Sequence, residues 1–379
     1  MKQIYLDNAA TTKVDENVLK AMTPYFSEKY GNASSTHLMG EEARRAIEES
    51  REIIAKTIGA KYKEIIFTGS GTESNNMTLK GLFFANKDSG KNHIITTKIE
   101  HDCILNSCRW LEKQGAKITY LDVDKKGFVD LGQLENSITD KTILVSIIHG
   151  NNEIGTIQDL EKIGKICKEK GVLFHTDACQ SFTKTKLDVK KMNLDLVTLN
   201  AHKIHGPKGV GALYIKEGIK IDPLLHGGGH EFNLRSSTEN VAGIVGFAKA
   251  VKIGCDIKKL TKLRDKLIEG ILKIPNTTLN GAEDKRLCNN INVSFNNIEG
   301  ESIGSFLNSK GIFGSNGSAC SSHSLEPSHV LLALGKSPLE SNSSIRLSIS
   351  NYTTEEEIDY VLQELNKIVE KLRKISPIK

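Results

Sequence analysis

Two charged residues follow apolar runs that are typical of buried strands. Asp177 comes after the run at 172–176, and Lys203 comes shortly after the run at 196–199, between His202 and the segment IHGPKG. A carboxylate at the end of a buried strand is costly unless a cationic group pairs with it, and a protonated pyridine nitrogen would be such a group. A lysine in this setting can form a Schiff base, because desolvation and cationic neighbours lower its pKa. The alternative for Lys203 is a surface lysine before a Gly-Pro turn.

Polar residues after three other apolar runs would complete a cofactor site. The segment GSGTESNN opens a helix whose free N–H groups at Gly71 and Thr72 predict a phosphate cup, unless it is an ordinary N-cap. The imidazole of His101 can stack on a flat cofactor and move protons, although a lone histidine is more often structural. The adjacent amides of Asn151 and Asn152 offer donors to a phenolic oxygen or a carboxylate, unless they form an Asx-type turn. Together with the Asp and Lys above, these residues predict a site for pyridoxal 5'-phosphate.

Two residues near the end of the chain have the chemistry to act on a substrate. Cys320 lies in the segment GSNGSACSSHSLEPSH, whose Gly and Ser content predicts an exposed loop. Its thiol would be a nucleophile of low pKa if a cationic neighbour such as His323 lies close, and the alternative is an incidental exposed thiol. Arg346 lies on a predicted apolar strand, where its guanidinium requires a carboxylate such as that of an amino-acid substrate.

Short β-branched runs alternate with helical stretches over the first two thirds of the chain. Strands are predicted at 65–68, 93–97, 117–121, 142–148, 172–176, 196–199 and 211–215, and helices at 38–58 and after a capping box at Thr354 and Glu357. This alternation predicts an α/β fold with a mainly parallel seven-stranded sheet and helices on both faces. Ligands collect at the carboxyl ends of strands in such a sheet, so the candidate residues would meet there. After about residue 250 the pattern becomes α+β, which predicts a large domain at 15–250 and a smaller one formed by 1–14 and 251–379.

Composition argues against several other classes of protein. The 379 residues carry a formal charge of only +5, with basic and acidic residues interspersed, which indicates a solvated surface and no direct nucleic-acid contact. The sequence has no signal segment and no apolar stretch long enough for a membrane span, so we expect a cytoplasmic protein. Its seven cysteines are scattered without CxxC pairs, which argues against a disulfide framework and against an intrinsic metal site.

With these residues assembled, the chain resembles the cysteine desulfurases of the NifS/IscS family, which belong to the fold-type I group of pyridoxal-phosphate enzymes. The motifs that carry the resemblance extend over almost the whole chain and are YLDNAATT, YGNASSTH, GTESNN, NNEIGTIQ, HTDACQ, AHKIHGPKGVGALY, GGGHE, SAC, LEPSHVL and RLSI. The resemblance implies conversion of L-cysteine to L-alanine with formation of a persulfide on Cys320. It also implies that this sulfur passes to an iron–sulfur scaffold protein or to another acceptor, such as a tRNA-thiolation partner.

The resemblance further implies roles for individual residues at the cofactor. Lys203 would form the Schiff base with pyridoxal 5'-phosphate, His101 would stack on its ring and shuttle protons, and Asp177 would hold the pyridine N–H. Gln180 and Asn152 would contact the phenolic oxygen. The residues around the phosphate would be Gly71, Thr72, Asn200 and His202.

Further implied roles concern the substrate, a second subunit and a sulfur acceptor. Arg346, together with Asn152, would bind the substrate carboxylate. Thr238 would reach the phosphate of a neighbouring subunit, which implies a homodimer with composite sites. Cys320 would also be the residue that transiently ligates an iron–sulfur cluster with a scaffold partner.

Other functions are compatible with parts of this pattern. One alternative is a selenocysteine lyase or another fold-type I enzyme such as an aminotransferase, and Cys320 in its SAC motif argues against the aminotransferase. A second alternative is a sulfur-relay scaffold that has lost catalysis. The presence of Lys203, His101 and Asp177 argues against that scaffold.

Overall fold

A computed structural model describes residues 3–315 and 326–376 of the protein. Its strands are β1 (Ile4–Tyr5), β2 (Ile65–Thr68), β3 (His93–Thr97), β4 (Lys117–Leu121), β5 (Thr142–Ser146), β6 (Leu173–Asp177), β7 (Leu196–Asn200), β8 (Gly211–Ile215), β9 (Thr277–Leu279), β10 (Asn290–Phe295), β11 (Ile312–Phe313) and β12 (Ser344–Ser348). Its helices are α1 (Glu16–Met22), α2 (Pro24–Ser27), α3 (Leu38–Ile58), α4 (Gly71–Ala85), α5 (Asp102–Glu112), α6 (Leu131–Ser137), α7 (Leu160–Glu169), α8 (Val241–Ile253), α9 (Ile257–Leu272), α10 (Gly300–Ser309), α11 (His329–Ala333), α12 (Pro338–Asn342) and α13 (Glu355–Ile375).

Seven of the strands form the central sheet, in the order β2-β8-β7-β6-β5-β3-β4. The pairs from β7 through β6, β5 and β3 to β4 are parallel, whereas β8 is antiparallel to both β2 and β7. The predicted α/β fold with a mainly parallel seven-stranded sheet is therefore confirmed. The strand predicted at 142–148 ends at Ser146, because the chain leaves the sheet there to form the turn that carries Asn151 and Asn152.

Side chains alternate between the two faces of this sheet, and each face is covered by helices. Ile65 and Phe67 pack into one apolar core with residues of α3 and α8. Ile66 points the other way, into a second core with residues of α4 and α5. A strand that buries both faces requires an apolar residue at nearly every position, which is why these strands appear in the sequence as continuous runs.

The chain beyond α8 builds a separate sheet of order β12-β10-β9 with its own apolar core. The short strand β1 pairs in parallel with β11, so the beginning of the chain packs with this later part. The capping box at Thr354 begins α13 as predicted, with Thr354 and Glu357 each accepting a backbone N–H from the other residue. The domain boundaries near residues 14 and 250 stay a prediction. In the described part of the chain, no helix is both long and apolar enough to cross a membrane.

Candidate active site

Several of the predicted residues meet at one edge of the central sheet. Asp177 and Asn200 are the last residues of the parallel neighbours β6 and β7, and Lys203 follows shortly after β7. Because β8 is antiparallel to both β2 and β7, β2 runs in the same direction as β7. The start of α4 at Gly71, which follows β2, is thereby brought to the same edge.

Asp177 lies in a buried hydrogen-bond network that reaches His101. Asp177 is 5% exposed; its Oδ2 accepts from Asn75 Nδ2 at 2.7 Å and its Oδ1 accepts from the backbone N–H of Cys179 at 2.9 Å. The same Asn75 Nδ2 lies 3.1 Å from Cys103 Sγ, which lies 3.0 Å from His101 Nδ1. Sequence reasoning missed Asn75 and Cys103, because their types do not distinguish them from ordinary helix residues.

His101 also caps the helix that follows it. Its Nδ1 accepts the backbone N–H of Cys103 at 3.2 Å, at the start of α5. Since Nδ1 acts as the acceptor, the proton of the neutral ring lies on Nε2. The capping bond thus fixes both the orientation of the ring and the nitrogen that carries the proton.

Lys203 is half-buried, and its ammonium group is held by the N-terminal segment of the chain. Lys203 Nζ donates to the carbonyl oxygen of Ala9 at 2.5 Å, and Gln180 Nε2 donates to the same oxygen at 2.8 Å. Burial, followed by the positive charge of Arg346, lowers the pKa of Lys203 to about 8. The amine is therefore far more available as a nucleophile near neutral pH than an ordinary lysine is. Sequence reasoning did not anticipate Ala9, since a backbone carbonyl leaves no residue-type signal.

The first turn of α4 forms a narrow cradle next to the end of β7. A Cβ on Gly71 would lie 2.6 Å from Cys179 Sγ and 3.6 Å from Asn200 Nδ2, so only glycine fits without displacement. Thr72 follows and is exposed. The first N–H groups of a helix lack intrahelical partners, and in proteins generally they attract anions. In α4 the Glu73 N–H donates to the capping Ser70 Oγ at 3.1 Å. The buried Asn200 Oδ1 has no hydrogen-bond partner in the described part of the chain.

His202 lies next to Lys203 in the chain and contacts the N-terminal segment. Burial, together with the positive charges of Lys203 and Lys208, lowers the pKa of His202 to about 4. Its Nδ1 lies 3.2 Å from Thr11 Oγ1, within the N-terminal segment. The ring is thus neutral at physiological pH and can act as a hydrogen-bond donor.

Arg346 is buried on β12 and already has an acidic partner. It is 2% exposed; its Nη2 lies 2.9 Å from Asp7 Oδ1, and its Nη1 donates to the carbonyl oxygen of Asn152 at 3.0 Å. Neither Arg346 Nε nor Asn152 Oδ1 has a hydrogen-bond partner among residues 3–315 and 326–376. Asn152 and Arg346 are therefore adjacent, as the prediction of a shared carboxylate site requires. Asp7 was not anticipated, although it lies in the motif YLDNAATT.

Of the predicted site residues that the structure describes, Thr238 is not part of this group. Thr238 is exposed and lines a different cavity, together with Gly69 and Arg235, and Arg235 forms an ion pair with Glu73 of α4 at 2.7 Å. Its predicted contact with a neighbouring subunit stays a prediction. Cys320 lies outside the described residues, and so the persulfide and cluster-binding roles implied for it also stay predictions.

Comparison with known proteins gives a consistent set of relatives. Residues 4–361 match the aminotransferase class-V family. The chain is 52% identical over 382 residues to a cysteine desulfurase IscS of Methanosarcina thermophila, covering 100% of this chain and 94% of that protein. It is also 52% identical over 385 residues to a cysteine desulfurase IscS of Dictyoglomus turgidum, covering 100% of this chain and 97% of that protein.

Solved structures agree with these relatives. A NifS-like protein matches 98% of this chain and 100% of its own at a TM-score of 0.92 and 40% identity. The protein SspA, solved in complex with cysteine, matches 93% of this chain and 100% of its own at a TM-score of 0.84 and 39% identity. Enzymes of the aminotransferase class-V family depend in general on pyridoxal phosphate. The chain belongs to this family and, within it, to the cysteine desulfurases of the IscS and NifS-like type.

Proposed function

We propose that the cleft around Lys203 binds pyridoxal 5'-phosphate and that the protein transfers sulfur from L-cysteine to Cys320, leaving L-alanine. The observation that carries the proposal is the pairing of two features at one sheet edge. A buried carboxylate, Asp177, lies near a lysine whose pKa is lowered to about 8. Such perturbed groups in a cleft are typical of catalytic sites.

The residues present fit this cofactor. The Asp177 carboxylate is buried, and its hydrogen-bond donors within residues 3–315 and 326–376 are the neutral groups of Asn75 and Cys179, so it would favour a protonated pyridine nitrogen. The cradle at Gly71 is narrow and lies at the N-terminus of α4, where the helix dipole favours an anion such as a phosphate. The unpartnered amide oxygen of Asn200 belongs to a side chain that can turn its NH₂ group towards the same phosphate.

The other predicted residues would lie around the cofactor and its substrate. Thr72 and His202 would complete the phosphate contacts, and Gln180 and Asn152 would face the phenolic oxygen. When bound, pyridoxal 5'-phosphate supplies an electron sink for charge that develops at the substrate Cα. Lys203 holds the amine that accepts a proton from this carbon, and His101 is the second group able to move it.

The sulfur step requires a nucleophile and a fixed substrate. Arg346 would hold the substrate carboxylate through charge-assisted hydrogen bonds. The Cys320 thiolate would then attack the substrate sulfur: an S–S bond forms, the C–S bond breaks, and Cβ gains a proton, which yields alanine and a persulfide. SspA was solved with cysteine bound, which supports cysteine as the ligand of this cleft.

Two further parts of the proposal concern other molecules. Thr238 and its exposed loop would contact the phosphate site of a second copy, giving a homodimer with composite sites. The persulfide would pass to an iron–sulfur scaffold protein or to another sulfur acceptor, where Cys320 could transiently ligate the cluster. The curated relatives named IscS support a protein acceptor of this kind.

Incubation with L-cysteine followed by intact-mass measurement tests this function. We expect the wild-type protein to gain one sulfur atom, mapped to Cys320, and to release alanine in equal amount. Cys320→Ser should keep the cofactor absorbance and lose both products, whereas Lys203→Ala should lose the covalently attached cofactor as well. Release of alanine by Cys320→Ser at the wild-type rate would refute the persulfide step.

A further inference from the structure

The motif YLDNAATT occupies residues 5–12, and the proposed function assigns no role to its acidic residue, Asp7. The structure places Asp7 against Arg346, although the two are 339 residues apart in sequence. Their ion pair is 2.9 Å long, and the side chain of Asp7 is 19% exposed whereas that of Arg346 is 2% exposed. The guanidinium expected to hold a substrate carboxylate therefore already holds one.

The position of Asp7 is set by the backbone and not by a flexible side chain alone. Residues 6–9 are bonded to Ser348, two residues beyond Arg346 on β12: the Ser348 N–H donates to Leu6 O at 2.6 Å, and the Ala9 N–H donates to Ser348 Oγ at 2.8 Å. Asn8 Nδ2 donates to Ser348 O at 2.7 Å. This attachment holds the Asp7 carboxylate over the arginine.

Asp7 and one backbone carbonyl oxygen take the two terminal nitrogens of Arg346. Its Nη1 is used by the carbonyl oxygen of Asn152, while its buried Nε has no hydrogen-bond partner in the described part of the chain. The positive charge of Arg346 also acts on Lys203, which binds the carbonyl oxygen of Ala9, two residues after Asp7. The same N-terminal segment thus contacts both groups that an amino-acid substrate would use.

We propose that Asp7 is a specificity-determining residue: it occupies Arg346 as an internal carboxylate, with which the substrate carboxylate must compete. This inference rests on the proposed function only in taking an amino acid as the ligand. A buried guanidinium without an anion is costly, so Asp7 stabilises Arg346 when no ligand is bound. Only a ligand that also gains contacts elsewhere in the cleft displaces Asp7 readily, which disfavours simple carboxylic acids relative to amino acids.

Asp7→Asn removes the competing negative charge and keeps the shape of the side chain. Two probes separate the carboxylate from the amine: 3-mercaptopropionate has the carboxylate and thiol of cysteine without its amine, and cysteamine has the amine and thiol without the carboxylate. By calorimetry on the purified protein, Asp7→Asn should bind 3-mercaptopropionate about fivefold or more tightly than wild type. This factor is expected when one charged contact, the Asp7–Arg346 pair with which the ligand competes, is weakened. Cysteamine binding should stay within about twofold, because it does not use the arginine.

Three controls keep this experiment decisive. Asp122→Asn makes the same change of charge at an exposed pair with Lys98 and should alter neither probe. In an Arg346→Gln background, Asp7→Asn should lose its effect on 3-mercaptopropionate. The melting temperature of every variant shows whether it folds. If Asp7→Asn folds poorly, Asp7→Ser replaces it in the same binding measurements.

The outcomes separate this inference from the proposed function. With cysteine as substrate, Asp7→Asn should lower KM while kcat changes less. Weaker or unchanged binding of 3-mercaptopropionate by a folded Asp7→Asn protein would overturn the competition and leave Asp7 as a support for Arg346. If the wild type forms no persulfide but Asp7→Asn still tightens 3-mercaptopropionate binding, the proposed function fails and the role of Asp7 stands.

Discussion

The lowered pKa of Lys203 predicts how fast the cofactor-free protein captures pyridoxal 5'-phosphate at different pH values. The neutral amine is the reactive form, so the rate of covalent capture should follow the deprotonated fraction of Lys203. With a pKa of about 8, against 10.5 for an ordinary lysine, the rate should rise with pH up to about 8 and then level off.

The size of the effect follows from the two pKa values. At pH 7 about one lysine in ten is neutral when the pKa is about 8, against about one in three thousand at 10.5, so Lys203 should react roughly 300 times faster than an unperturbed amine of equal reactivity. Burial is the largest cause and the charge of Arg346 is the second. Arg346→Gln should therefore raise the pKa of Lys203 and move the rate profile to higher pH.

Stopped-flow absorbance on the cofactor-free protein gives the capture rate, and borohydride reduction followed by mass mapping identifies the lysine that reacted. Arg109→Gln is a matched control, because Arg109 is exposed and its charge is not among those that shift Lys203. A wild-type rate that still rises beyond pH 10 would refute the reasoning, since it would indicate an ordinary lysine. So would an Arg346→Gln profile that coincides with the wild type.

Two further predictions concern the framework of the site. Glu231→Gln should lower the free energy of unfolding in urea by about 3–5 kcal/mol, because Arg51 would lose its buried bidentate partner at 2.6 and 2.8 Å. The control Glu217→Gln changes an exposed ion pair and should leave the free energy of unfolding unchanged. Equal losses of stability in both variants would contradict the argument. Gly71→Ala should weaken cofactor binding about tenfold or more by overpacking, since its Cβ would lie 2.6 Å from Cys179 Sγ. Adding Cys179→Ala should restore part of the affinity, and an unchanged Kd in Gly71→Ala would argue against the cradle.

Much of the fold could be predicted because the local signals are strong. Strands buried on both faces require continuous β-branched runs, and those runs gave the positions of β2, β3, β4 and β8 to the residue. The direction of β8 was harder to predict from the sequence. The connection at 201–210 contains no helix, and a short connection of this kind returns the chain antiparallel, whereas a parallel neighbour needs a longer crossover.

The candidate site also has features that could be predicted from the sequence and features that could not. Asp177 and Lys203 could be identified from the sequence because a charged residue at or shortly after the end of a buried run conflicts with its surroundings, and such conflicts mark functional sites. The contacts of Asp7 with Arg346, of Ala9 with Lys203 and of Asn75 with Asp177 could not be identified, because they join residues 339, 194 and 102 positions apart.

The sequence by itself determined which residues have chemistry and on which strand ends they lie, since side-chain type and hydrophobic period are local properties. Only the tertiary structure decided which of them touch and what each is bound to. It placed the N-terminal segment across the cleft, where Ala9 holds Lys203 and Asp7 holds Arg346. The physical reason is that a buried charge takes whichever partner packing brings within reach, and packing depends on the whole chain.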